Sequence, residues 1–134
     1  MPTPIELSIV VPLYNEEANV EALYQRLKAV VVAMGVSHEF IFVNDGSRDR
    51  TLALAHELSH RDPQVRYIDL SRNFGHQIAV TAGLDHTVGE AVVIIDADLQ
   101  DPPELISQLY EKLQVGYEVV YAKRLSRPGE NVAK

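Results

Sequence analysis

Cysteine and tryptophan are both absent from this 134-residue chain. Without thiols there is neither a disulfide framework nor a thiolate metal site, and cysteine usage leaves the redox compartment open. Apolar runs are short. None approaches the roughly 18 residues that a spanning helix needs, so no membrane span is expected in this chain. The N-terminus lacks the basic segment, apolar stretch and small-residue cleavage site of a secretory signal, and a cytoplasmic setting is the expectation. Basic charge is also scarce, with 12 Lys and Arg against 19 Asp and Glu and a formal net charge of -7. A nucleic-acid binder needs a concentrated basic surface to displace counterions from phosphates, and this balance argues against that class. A phosphate-bearing ligand is still allowed, because a bound divalent cation can bring the positive charge.

What is present is an ordinary globular composition, 46% hydrophobic, at a length suited to one domain. Apolar runs that read as buried strands cover Ile5–Pro12, Glu39–Asn44, Val65–Leu70, Ala91–Asp96 and Tyr117–Tyr121. Helical spacing fills the intervals. Val20, Leu23, Leu27, Val30, Val31 and Met34 share a face closed by Gly35, with Asn15 as cap and Glu16 and Glu17 in the first turn. Leu52, Ala55 and Leu58 mark a helix over Thr51–His60, and Gly75–Thr87 reads as another despite Gly83. Asp101-Pro102-Pro103-Glu104 is a helix start followed by the apolar face Leu105, Ile106, Leu109 and Leu113. Apolar strands linked by helices imply an α/β domain with a mainly parallel central sheet flanked by helices. Residues 1-123 read as this unit, and the polar residues 124-134, which contain Pro128-Gly129, as a tail or truncated connection.

In parallel sheets, ligands sit outside the carboxyl ends of the strands at a topological switch point. The polar residues that interrupt the pattern follow strand ends: Tyr14-Asn15-Glu16, Asn44-Asp45-Gly46, Ser71-Arg72-Asn73 and Asp96-Ala97-Asp98. Asp96 and Asp98 are two apart in a strand leaving the sheet, so both carboxylates face one side. Like charges that close repel, and a cation between them relieves the repulsion. Oxygen donors, with Gln100 continuing the alternation, suit Mg²⁺ or Mn²⁺ better than zinc. The competing reading has Asp98 and Asp101 capping a helix and Asp96 ending a strand. Asp45 is either an Asp-Gly turn residue or a carboxylate that accepts from a base or ribose. Arg72 is either a planar fork for phosphate or half of a surface ion pair. His76 and Gln77 read as polar helix-start residues, Phe74 as core rather than a cover over a ligand, and Tyr117 and Tyr121 as packing. His56, His60 and His86 fit no metal spacing and read as solvent-facing.

Four ordered blocks carry a resemblance: Val11-Pro12-Leu13-Tyr14-Asn15-Glu16, Asn44-Asp45-Gly46-Ser47-Arg48-Asp49, Ser71-Arg72-Asn73-Phe74-Gly75-His76-Gln77, and Asp96-Ala97-Asp98-Leu99-Gln100-Asp101-Pro102-Pro103-Glu104. Together they resemble glycosyltransferase family 2, specifically the polyprenyl-phosphate sugar transferases related to dolichol-phosphate mannose synthase and the bactoprenol glucosyltransferases. The resemblance implies a GT-A, Rossmann-like fold that binds a nucleotide-diphosphate sugar with Mg²⁺ or Mn²⁺. It places Pro12, Tyr14, Glu16, Asp45, Asp96 and Ala97 at the nucleotide, with Asp45 reading the base. Asp98 and Gln100 would hold the metal, and Asp98, Arg72 and Asp101 form the catalytic set. Asn44 stands where many relatives carry a second aspartate. The implied donor is a UDP-sugar rather than GDP-mannose, and the implied acceptor is a polyprenyl phosphate at the cytoplasmic face of a membrane. Family members continue beyond this length with acceptor-side elements. Donor binding is therefore expected of this chain, and transfer of the longer protein; a domain cut from its neighbours also invites a homo-oligomer.

Other functions fit less of the chain. A truncated, non-catalytic nucleotide-binding module would keep the pocket without turnover. A receiver-like signalling domain needs paired acids directly after the first strand, where Pro12-Leu13-Tyr14-Asn15 stands. A phosphatase with an Asp-x-Asp nucleophile carries that motif on its first strand.

Overall fold

The structure, a computed structural model, describes residues 4–97, 102–114, 119–121 and 132–133. β1 (Leu7–Leu13), β2 (His38–Asn44), β3 (Val65–Asp69), β4 (Ala91–Ile94), β5 (Val119–Tyr121) and β6 (Val132–Ala133) form one sheet in the order β3-β2-β1-β4-β5-β6. The pairs among β1 to β5 are parallel, and β6 joins β5 antiparallel. Helices α1 (Val20–Met34), α2 (Thr51–Arg61), α3 (His76–Asp85) and α4 (Ile106–Gln114) connect them, the last preceded by a 3-10 turn at Pro103–Leu105. The α/β class and mainly parallel sheet read from the sequence are those observed. No helix among the described residues is long and apolar enough to cross a membrane.

Alternation along the strands sorts the core into two layers. Leu7, Ile9, Val11 and Leu13 of β1 and Phe40 and Phe42 of β2 face α1, α2 and α4, where Leu23, Leu27, Val31, Ala55, Leu58, Ile106 and Leu109 meet them. Val10, Ile41, Val43 and Ile94 face the other way, against Ala79 and Val80 of α3. Every residue of β1 is buried, which is why its sequence shows no polar alternation. Each large apolar side chain taken fully out of water contributes about 1.5–3 kcal/mol, so the layer beneath three helices is the larger source of stability.

Gly83 explains how α3 sits so close. A Cβ there would stand 2.5 Å from Val10 Cγ1 and 3.1 Å from Val43 Cγ2. The glycine that weakened the helix pattern is what lets the helix lie on the sheet. Pro12 is likewise in place. Val10 C=O accepts from Ile95 N–H on the β4 side, while Leu13 C=O accepts from Asp45 N–H on the β2 side. Backbone groups alternate between neighbours, so Pro12 turns its missing N–H toward β4, beyond the last paired residue Ile94. There β1 and β4 part.

Two readings of local structure need correction. Asn15 does not cap α1: it has φ +54, and Asn19 precedes the helix. Its side chain accepts from Arg48 N–H at 2.8 Å and its own N–H donates to Ser47 Oγ at 2.9 Å, so it ties two loops together. Asparagine tolerates the left-handed region better than most residues. Phe74 is not core; it is 36% exposed. Tyr117 lies outside the described residues.

Candidate functional site

The carboxyl edge of the sheet is built from three loops that hold one another. The β1–α1 loop docks on the β2–α2 loop through the Asn15 contacts and through Glu16 N–H, which donates to Thr51 Oγ1 at 2.8 Å. The β2–α2 loop in turn grips the β3–α3 loop. Asp45 Oδ1 accepts from Phe74 N–H at 2.8 Å, and its Oδ2 accepts from Gly75 N–H at 3.1 Å and Asn73 Nδ2 at 3.3 Å. Gly46 makes room for this grip. With φ +72, it would place a Cβ 2.3 Å from Asn73 N and 2.5 Å from the Arg72 carbonyl carbon. The Asp-Gly pair is thus a turn and a clamp together.

Between these loops and the end of β4 lies a cavity of about 460 Å³ lined by Pro12, Leu13, Tyr14, Glu16, Asp45, Asn73, Gly75, His76, Ala79, Asp96 and Ala97. Its floor is where β1 and β4 diverge after their paired register, the switch point of the sheet. Pro12, Tyr14, Glu16, Asp45, Asp96 and Ala97, the six residues expected at the nucleotide, are thereby brought to one wall system. Tyr14 is 46% exposed at its rim, whereas Asp45 and Asp96 are buried. Arg72 is not among the lining residues. Its guanidinium lies 4.3 Å from the centre of the Phe74 ring, in the adjoining loop. Asp98, Gln100 and Asp101, which carry the expected metal and catalytic roles with Arg72, lie outside the described residues.

The lining carboxylates Glu16, Asp45 and Asp96 supply oxygen donors, the type that suits Mg²⁺ or Mn²⁺. No cluster of three potential metal-ligating side chains occurs among the described residues. Asp45 is committed to the loop by three hydrogen bonds. Asp96 stands two residues beyond the end of β4 and offers carboxylate oxygens, donors of the type a hard cation takes, to the cavity wall.

His76 was not singled out by its sequence context. It opens α3, lines the cavity, and holds Nε2 3.6 Å from Asp96 Oδ1. The signal for it was its position six residues after the third strand's end, inside a block that also carries Arg72 and Gly75. His56, His60 and His86 are exposed as expected, although His56 and His60 face each other with Nε2 atoms 3.1 Å apart.

The comparisons with known proteins agree with this architecture. The description "Glycosyl transferase family 2" matches residues 8–134. The chain is 57% identical over 130 residues to the uncharacterized glycosyltransferase YkcC of Bacillus subtilis, covering 97% of this chain and 40% of that protein. It is 43% identical over 123 residues to the bactoprenol glucosyl transferase of Shigella phage SfX, covering 92% of this chain and 40% of that one. Among solved structures it resembles the mannosyltransferase PcManGT of Pyrobaculum calidifontis, in complex with GDP-Man and Mn²⁺, with a TM-score of 0.67 at 23% identity over 84% of this chain and 34% of that chain. That likeness is one of fold, and it is the GT-A fold expected from the motifs. The chain spans about 40% of the length of the curated relatives it matches.

Proposed function

The chain belongs to glycosyl transferase family 2, and on that premise we propose that its cavity binds a nucleotide-diphosphate sugar together with a divalent metal. The observation that carries this reading is the convergence of Pro12, Tyr14, Glu16, Asp45, Asp96 and Ala97 on one cavity at the switch point of the sheet. The Asp45 carboxylate accepts three hydrogen bonds from the neighbouring loop, two from backbone N–H groups and one from the Asn73 amide. A carboxylate offers about four lone-pair sites, so one is left for an N–H of the base. Asp96 serves the ribose side, and Asp98 and Gln100 are assigned to the metal. A UDP-sugar is favoured over GDP-mannose, supported by the Ser71–Gln77 block and by the 43% identity to a bactoprenol glucosyl transferase.

For the longer protein the proposed reaction is inverting transfer of the sugar to a polyprenyl phosphate. An acceptor phosphate oxygen forms the bond to the anomeric carbon while the bond to the diphosphate oxygen breaks, and the nucleoside diphosphate leaves. With a second pKa of about 6, the acceptor phosphate is largely dianionic near neutral pH and needs little general-base help. A divalent cation on the diphosphate supplies neutralisation of the charge that develops there. In this reading the chain's own residues hold the base and ribose and close the floor with apolar β1 and β4; the catalytic roles assigned to Arg72 and Asp101 rest on the sequence motifs alone.

Calorimetry with UDP and GDP, each with and without Mn²⁺, tests the donor reading. Metal-dependent binding of UDP in preference to GDP is expected. Absence of metal-dependent binding to either nucleotide overturns it. For the reaction, a product that keeps the donor's anomeric configuration would contradict the single displacement.

A further inference from the structure

The cavity that the donor reading fills with a diphosphate is lined by acids. Glu16, Asp45 and Asp96 all border it, and His76 is the one side chain among the described lining residues that can carry positive charge. Several independent features fix where that imidazole stands. The Asp45 carboxylate holds Asn73, Phe74 and Gly75 immediately before it. Gly46, lacking a Cβ, lets the same loop approach within contact. Gly75, at φ 104 and ψ 159, takes a conformation essentially closed to residues with a Cβ. The helix then starts at His76, whose Nε2 faces Asp96 at 3.6 Å across the cavity wall.

Resting on the donor reading, we propose that His76 is a substrate-contacting residue that donates a hydrogen bond to the diphosphate of the bound nucleotide sugar. Its role is distinct from that of Asp45: Asp45 serves the base and positions the loop, and His76 meets the phosphates that the loop is shaped to receive. The imidazole needs no general-acid role for this. A nitrogen-borne proton directed at an anionic oxygen strengthens binding of the diphosphate and matches the charge that grows on it as the sugar departs. Asp96, on the nucleotide side, faces the ring at 3.6 Å.

The test compares wild type with His76→Ala and His76→Gln, the side chain being half-exposed and so open to replacement without disturbing the core. UDP and uridine are titrated in the presence of diamagnetic Mg²⁺, and the His76 imidazole carbon-bound proton is followed by NMR. Loss of a hydrogen bond to a charged group weakens binding by about tenfold or more, so His76→Ala should lose at least that for UDP and little for uridine. His76→Gln, which keeps an N–H donor, should lose less. The wild-type His76 resonance should shift with UDP and not with uridine. Equal affinity of wild type and His76→Ala for UDP overturns the proposal, as does an equal loss for UDP and uridine, which would assign His76 to cavity shape alone. If wild type binds neither UDP nor uridine, the donor reading itself has failed, a result separate from either of those.

Discussion

Asn44 shows how one side chain reports on its surroundings. It is buried, donates its amide to Asp69 Oδ1 at 3.0 Å, and accepts from Ser47 N–H at 3.3 Å. A carboxylate here would face the Asp69 carboxylate, whereas the asparagine amide donates to it. Asn44→Asp should destabilise the protein by about 1–3 kcal/mol near neutral pH, with partial recovery as acid protonates the pair, measured by urea unfolding at both conditions. Glu39 gives a pH dependence of its own. Burial opposes its ionisation, but the Ser8 hydroxyl at 2.6 Å, the Val88 amide and the Arg66 guanidinium outweigh burial and hold its carboxyl below the ordinary 4.5. Because the folded-state value is the lower one, ionised Glu39 stabilises the fold above the ordinary carboxylate range, and that contribution is lost as pH falls through it. The stability gap between wild type and Glu39→Gln should therefore be widest near neutral pH and shrink as pH falls below the ordinary carboxylate range. A gap independent of pH would contradict the assignment.

At the scale of elements, the packing of α3 rests on Gly83. Alanine usually favours a helix interior over glycine by about 1 kcal/mol, yet here its methyl would press on Val10 Cγ1 at 2.5 Å. Gly83→Ala should lower the melting temperature rather than raise it, and a rise would show that α3 can move off the sheet. Gly46→Ala should be worse, since both its φ of +72 and the Asn73 backbone at 2.3 Å oppose a side chain, and backbone cannot rotate away. The strands and helices were legible because periodicity is local: β1 and β2 matched their patterns to within two residues, and α1 closed at Gly35 as expected but began at Val20, four residues after the Glu16 expected to open it. The loops were not. Asn15 followed by Glu16 and Glu17 carries the same local signal as a helix cap, and only Ser47 and Arg48, more than 30 positions away, reveal its actual partners. Phe74 looked like core because aromatics usually are, but its ring is turned out under Arg72.

For the molecule as a whole, the sheet order decides where chemistry can happen. The chain builds outward from β1 through β2 to β3, then returns over α3 to place β4 on the other side of β1. That reversal opens the cavity between Pro12-Leu13-Tyr14 and Asp96-Ala97, and the motif order in the sequence already implied that these segments meet. What the motifs did not convey is that Asp45 anchors the loop bearing His76, or that Arg72 lies outside the cavity wall. A pocket bordered by three carboxylates in a chain of net charge -7 should repel a free anion, so nucleotide diphosphate binding should depend steeply on divalent metal. Donor binding at the switch point is tested by an NMR titration of backbone amides with UDP in the presence of Mg²⁺. The largest shifts are expected at Leu13 to Glu16, at Asp45 to Gly46, at Gly75 to His76 and at Asp96 to Ala97, and they should vanish when the metal is chelated. Shifts centred elsewhere on the surface, or none at saturating UDP, would contradict it.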